Sequence, residues 1–231
     1  MKTIFDRTRM LIGTEGLSRI MTKSVIVFGI GGVGSFVIEA LIRAGIQNIT
    51  IVDYDEVDIT NINRQIIALH STIGRKKTEV MAERIRDINP EAKVMVHTGK
   101  LDAENLNAFH LEEFDYIVDA IDDVPAKLLL IQTSSELKIP IISSMGTGNK
   151  FDPSQFRIAD IKKTHTCPLA KVIRKETGKM GIKNLKVLFS TEVPHQEELS
   201  EEGSRSPSSI SFAPASAGLL IASEVIRDLL Q

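Results

Sequence analysis

The chain has 231 residues, 42% of them hydrophobic and 25% charged, and a formal charge of −2 from 28 Lys or Arg against 30 Asp or Glu. Those proportions fit a globular chain of one domain, or one core domain with an appendage, and exclude collagen-like, disordered and disulfide-framed classes. A single cysteine, Cys167, forms no internal disulfide, points to a reducing, cytoplasmic setting, and leaves no pair of Cys-x-x-Cys motifs for a four-thiolate zinc site. No apolar run reaches the ~18 residues of a membrane span, and the first residues are too polar for a signal-peptide core. In chain order, residues 1–22 read as an N-terminal arm. The run SVIVF at 24–28 predicts a buried strand, and 32–44 a helix. NITIV at 48–52 predicts a second strand. Residues 74–89 predict a long helix with Val80, Met81, Ile85 and Ile88 on one face, stopped by Pro90. Strands follow at 93–96 and at YIVDA, 116–120; then come a helix at about 126–137 and a strand at 140–144. Strands separated by helices imply crossovers. The fold class is therefore α/β: a Rossmann-like, doubly wound, mostly parallel sheet with helices on both faces.

Residues 23–150 form the core of this single domain, and 151–231 an extension on the substrate side. Residues 150–186 carry ten Lys or Arg and three acids, a formal +7. The segment reads either as a solvated surface helix or as a footprint for nucleic-acid phosphates. Residues 192–209 are acidic, Ser-rich and hold Pro194 and Pro207, which predicts a mobile surface loop. Residues 214–230 predict a final helix docked on the core.

Gly29, Gly31 and Gly34 form G-x-G-x-x-G, with Gly32 inside it, between a predicted strand and a predicted helix. The first glycine permits a tight turn, the second a close approach of backbone to phosphate, and the third close packing of helix on sheet. The helix N-terminus then offers N–H groups and partial positive charge to an anion. Asp53 ends the second strand, where a carboxylate can accept from ribose hydroxyls. The turn fits NAD as well as ATP.

The stretch from Asp53 and Asp55 through Asn61, Asn63, Arg64 and Gln65 separates those options. A dehydrogenase leaves its pyrophosphate intact, whereas breaking an α–β phosphate bond calls for a guanidinium, an ammonium and carboxylate-held Mg2+. Arg64 is a fixed planar phosphate donor. Lys77 opens the next helix within reach of the same phosphates. Asp122 lies just past a strand's carboxyl end, placed to hold Mg2+ or orient a triphosphate. The structural alternatives are an N-cap at Asp122 and a solvated helix residue at Lys77.

The order G-x-G-G-x-G, D-Y-D, N-x-N-R-Q, Gly74-Arg-Lys-Lys77 and Asp119-Ala-Ile-Asp122 resembles the E1-like adenylating superfamily of ThiF, MoeB and HesA. Residues 5–13, 63–69, 167–175, 187–192 and 209–218 resemble its tRNA threonylcarbamoyladenosine dehydratase branch. The resemblance covers nearly the whole chain. It implies ATP on Gly29–Gly34, with Asp53 at the ribose. It places Asp55, Asn61, Arg64, Lys77 and Asp122 around the triphosphate and its Mg2+. Arg9 matches an arginine that reaches the partner subunit's ATP, implying a homodimer with sites completed in trans. The chain departs from its relatives in three ways: it has no Cys-x-x-Cys pairs, no cysteine in 192–209, and Asp123 where many members carry Asn.

The activity so implied is adenylation of the threonyl carboxylate on the modified adenosine at position 37 of tRNA, then ring closure with loss of AMP. It needs no enzyme nucleophile, so Cys167 reads as structural. His165 is a weak candidate base. Arg174 and Lys175 are the first candidates for tRNA phosphate contacts. The alternative is a ThiF- or MoeB-type adenylyltransferase that activates the C-terminus of a small sulfur-carrier protein; a sulfur-relay partner stays open with it. An NAD-dependent oxidoreductase and a nucleotide-binding scaffold without turnover are the other classes.

Overall fold

The computed structural model describes residues 2–195 and 207–231. Most of the predicted loop at 192–209 lies outside them. The strands β1 (Ser24–Phe28), β2 (Asn48–Asp53), β3 (Lys93–Thr98), β4 (Tyr116–Asp119) and β5 (Ile141–Ser144) fall where the β-branched runs predict. Two more, β6 (Phe156–Asp160) and β7 (Lys186–Ser190), extend the same sheet beyond residue 150. The order is β3-β2-β1-β4-β5-β7-β6. All neighbours are parallel except β6, which returns antiparallel along β7. Strands of a parallel sheet covered on both faces bury both sets of side chains, and Val25, Ile26, Val27 and Phe28 of β1 are all inaccessible or nearly so.

The helices are α1 (Asp6–Thr22), α2 (Gly34–Ala44), α3 (Lys77–Ile88), α4 (Val124–Leu137), α5 (Pro168–Lys179) and α6 (Phe212–Leu230). The N-terminal arm is thus a helix, broken at Gly13, whose φ of 79° is left-handed. Leu17 and Ile20 of α1 are buried, and the Arg19 guanidinium donates to the Leu230 carbonyl at 2.6 Å, tying α1 to α6. Met10 and Leu11 are exposed.

The basic segment is not one surface helix. It holds β6, a 3-10 turn at Ile161–Lys163, and α5. Because Asp160 of β6 pairs with Lys186 at the start of β7, Lys162 and Lys163 lie toward the amino edge of the sheet. Lys150 is buried, and Lys186 is paired with Glu224 and Asp228 at 2.8 and 2.6 Å. The positive charge is therefore spread over several faces. Among the described residues no helix is long and apolar enough to cross a membrane.

Candidate functional site

The carboxyl ends of β1, β2 and β4 open into a cavity of about 390 Å3. Its floor is the glycine turn. Gly29 has φ 90°, and a Cβ there would lie 2.6 Å from the Ala120 carbonyl oxygen. A Cβ on Gly34 would lie 1.8 Å from the Gly29 carbonyl oxygen, so α2 can start here only without a side chain. Gly31 has nothing within 4 Å of its missing Cβ and lines the cavity, leaving backbone open to an approaching group. Gly32 packs beside Pro214 and Arg64. The arrangement gives an anion a helix N-terminus with bare backbone around it.

Asp53 is buried at the end of β2. Its carboxylate accepts from Ile30 N–H at 2.6 Å and Asp55 N–H at 2.8 Å. Burial pushes its pKa above the ordinary carboxylate range, with the Lys77 cation and the two N–H groups pulling back. Lys77 is buried too, not a solvated helix residue. Its ammonium meets Asp55 Oδ2 at 2.7 Å. Asn61 closes a 3-10 turn (Ile59–Asn61), its side chain accepting from Asp58 N–H at 3.2 Å. That turn presents Arg64, whose guanidinium donates to Thr60 O at 2.9 Å and Asn63 Oδ1 at 3.0 Å. Asp53, Asp55, Asn61, Arg64 and Lys77 all face the one cavity.

Asp122 lines the opposite wall and is exposed. It is not the N-cap of α4. That position belongs to Asp123, which accepts from Ala126 N–H at 2.9 Å and pairs with Lys100 at 3.0 Å. Beneath this wall runs a buried network. Lys127 donates to Asp119 Oδ2 at 2.8 Å, Ser143 Oγ at 3.2 Å and Ser144 O at 3.0 Å. Ser143 also donates to Asp119 at 2.5 Å, and Asp119 Oδ1 accepts from Ile121 N–H at 3.2 Å. Lys127 is absent from the sequence expectations. Its signal was a lysine on the Leu130, Ile131, Ser134 stripe, the buried face of α4. Gln65 also lines the cavity, is buried, and has a carbonyl oxygen with no hydrogen-bond partner. Lys100, Gly148 and Ser209 complete the mouth.

Other expected residues lie elsewhere. Arg9 does not line this chain's cavity; its nearest acid is Asp6, 3.7 Å away. Arg174 is half-buried, and its Nη1 donates to Thr164 O and Oγ1 at 2.8 and 2.6 Å, bracing the turn before α5. Lys175 is exposed. Cys167 is free and buried in an apolar cluster. His165 is exposed, stacks edge-on with Phe189 and is not part of the cavity wall. Among the described residues no three His, Cys, Asp or Glu side chains cluster to hold a metal. A lone exposed carboxylate such as Asp122 fits a Mg2+-type site, in which one or two carboxylates are joined by phosphate and water, better than a cage of protein ligands.

The ThiF family model matches residues 5–231. The chain is 43% identical to the tRNA threonylcarbamoyladenosine dehydratase of Bacillus subtilis (strain 168) over 98% of this chain and 94% of that protein. It is 40% identical to the Escherichia coli (strain K12) protein of the same description over 81% and 73%. The crystal structure of E. coli TcdA, a tRNA N6-threonylcarbamoyladenosine dehydratase, in complex with ATP superposes with a TM-score of 0.90 at 36% identity, covering 98% of this chain and 93% of that one. Its complex with AMP also gives 0.90, at 35% identity over 100% and 98%. E. coli MccB with ATP shares the fold at a TM-score of 0.69 and 17% identity.

Proposed function

We propose that this chain, which belongs to the ThiF family, is an ATP-dependent tRNA threonylcarbamoyladenosine dehydratase. One observation carries the reading: a single cavity joins a phosphate-type glycine turn to a guanidinium, an ammonium and an exposed carboxylate. That set suits cleavage between the first and second phosphates. The ATP and AMP complexes of the E. coli relative support it.

The glycine turn and the start of α2 receive the phosphates, and Asp53 receives the ribose hydroxyls. Arg64 and Lys77 take up the charge that grows on the departing pyrophosphate. Lys77 is held ready by Asp55, and Arg64 by the Thr60 carbonyl. Asp122 is the residue that would hold Mg2+, which supplies further charge neutralisation on the triphosphate. A carboxylate oxygen of the threonyl group attacks the α-phosphorus, and pyrophosphate leaves. The ureido group of the same nucleoside then attacks the activated acyl carbon. AMP departs with the former carboxylate oxygen, one proton is released, and the nucleoside has lost water. Positioning and electrostatics do the work, with no enzyme nucleophile. Residues 192–209 contain no cysteine, which agrees with that chemistry. Two such chains form a homodimer in which Arg9 reaches the neighbouring cavity.

The test is ATP cleavage with modified tRNA as the stimulus. AMP and pyrophosphate should form in equal amounts, and only when the tRNA carries the threonylcarbamoyl group. Stimulation by a Gly-Gly-ended carrier protein and not by tRNA would move the reading to a sulfur-carrier adenylyltransferase.

A further inference from the structure

The chain has nine Phe, two Tyr and no Trp. Among the described residues the exposed aromatics are Tyr54, Phe151 and Phe212, at 49%, 59% and 38% of their surface. All three lie in, or within three residues of, chain segments that line one cavity. Tyr54 lines it directly. Phe151 lies three residues beyond Gly148, and Phe212 sits between Ser209 and Pro214, all of them lining residues. Phe151 and Phe212 meet edge to face, with ring centres 5.3 Å apart.

The backbone beneath this pair is fixed. Phe151 N–H and Asp152 N–H both donate to the Glu192 carboxylate, at 2.9 and 3.0 Å. The buried Lys150 ammonium donates to the Glu192 carbonyl. Asn149 N–H donates to Ser208 O at 2.8 Å, joining the strand of chain under Phe151 to the one leading to Phe212. The fold thus holds two apolar rings in water on a braced backbone. Phenylalanine side chains have few rotamers to lose on contact.

We propose that Phe151 and Phe212 form a stacking platform for unpaired bases of the tRNA loop that flank the modified adenosine. The inference rests on the function proposed above. The cavity, at about 390 Å3, is of small-ligand size and too small for an RNA loop. The neighbours of a reacting nucleoside must therefore stay at the mouth. Bases in single-stranded loops are splayed and stack on aromatic side chains, whereas paired bases hide their faces. Two paired rings on the segments next to Gly148 and Ser209, which line that cavity, match such bases in chemistry.

The experiment compares the parent with F151A, F212A and the double variant. The probes are a modified anticodon stem-loop and a blunt RNA duplex of equal length. The double variant should bind the stem-loop about ten- to a hundredfold more weakly, as loss of base–aromatic stacking does. Its affinity for the duplex and for ATP should not change. F151Y should retain binding and F151L should not. F151W introduces the chain's sole tryptophan, so its fluorescence should be quenched by the stem-loop and not by the duplex. The platform is wrong if the double variant binds the stem-loop like the parent. It is also wrong if both RNAs are lost equally, or if the variants change oligomeric state while keeping RNA affinity, since the rings then cover a second copy. Conversion of modified tRNA by the parent separates the two levels. A parent that converts tRNA beside a double variant with unchanged affinity overturns the platform alone. A parent that neither binds nor converts overturns the function.

Discussion

Replacing Lys127 with Met removes the cation from a pair in which neither side chain touches water. Three donors are lost at once, to Asp119, Ser143 and Ser144. Asp119 would keep only the Ser143 hydroxyl and the Ile121 N–H, too little for a buried carboxylate. Breaking such a pair from one side costs about 3–5 kcal/mol, a large share of the roughly 5–15 kcal/mol that holds a domain together. With a urea slope of about 2 kcal/mol per molar, the unfolding midpoint should fall by about 2 M. Removing both charges in D119N/K127M should recover most of that loss, because the cost is the uncompensated charge and not the missing contact. Urea titrations of parent, single and double variants read this directly. A K127M protein within about 1 kcal/mol of the parent, or a double variant as unstable as the single one, would refute the assignment. The consequence reaches the cavity, since Asp119 holds the backbone of Ile121 next to Asp122.

Four further outcomes follow. Mixing R9A with R64A subunits should restore about a quarter of parental activity, because half of randomly paired dimers contain one intact site of two; no recovery in proven heterodimers would remove Arg9 from the shared site. The Ala126 N–H and the Lys100 cation hold the Asp123 carboxyl below the ordinary carboxylate range. A depressed native pKa stabilises above the unfolded value of about 3.9 and loses that contribution as pH falls through the native one, so D123A should flatten the acid limb of stability against pH, read by denaturation from pH about 6 to about 2. R174A should lose about 1–2 kcal/mol of stability through the bonds to Thr164, and K171A/K175A should reduce the slope of log affinity for tRNA against log salt by about 1.5 if these exposed lysines meet phosphate.

The parallel core was legible because β-branched runs, glycine turn and helix periodicity all agree from residue 24 to 144. Arg64 and Lys77 were legible too, since their residue types stand beside a phosphate-type turn. The strands β6 and β7 were not. VLFS is a short apolar run between a lysine and polar residues, and such runs carry no period of their own. Reading residues 150–186 by charge hid the fact that Lys150 and Lys186 are consumed inside the fold. The bonds from Arg174 Nη1 to Thr164 were equally hidden, since a guanidinium's partners within the fold leave no mark in the sequence. The capping role of Asp123 next to the free Asp122 required backbone geometry to assign.

The most direct test is mass analysis of nucleosides digested from modified tRNA after incubation with the protein and ATP. The account predicts that threonylcarbamoyladenosine becomes lighter by one water, in step with AMP formed. An unchanged nucleoside, or ADP and phosphate in place of AMP and pyrophosphate, would contradict it.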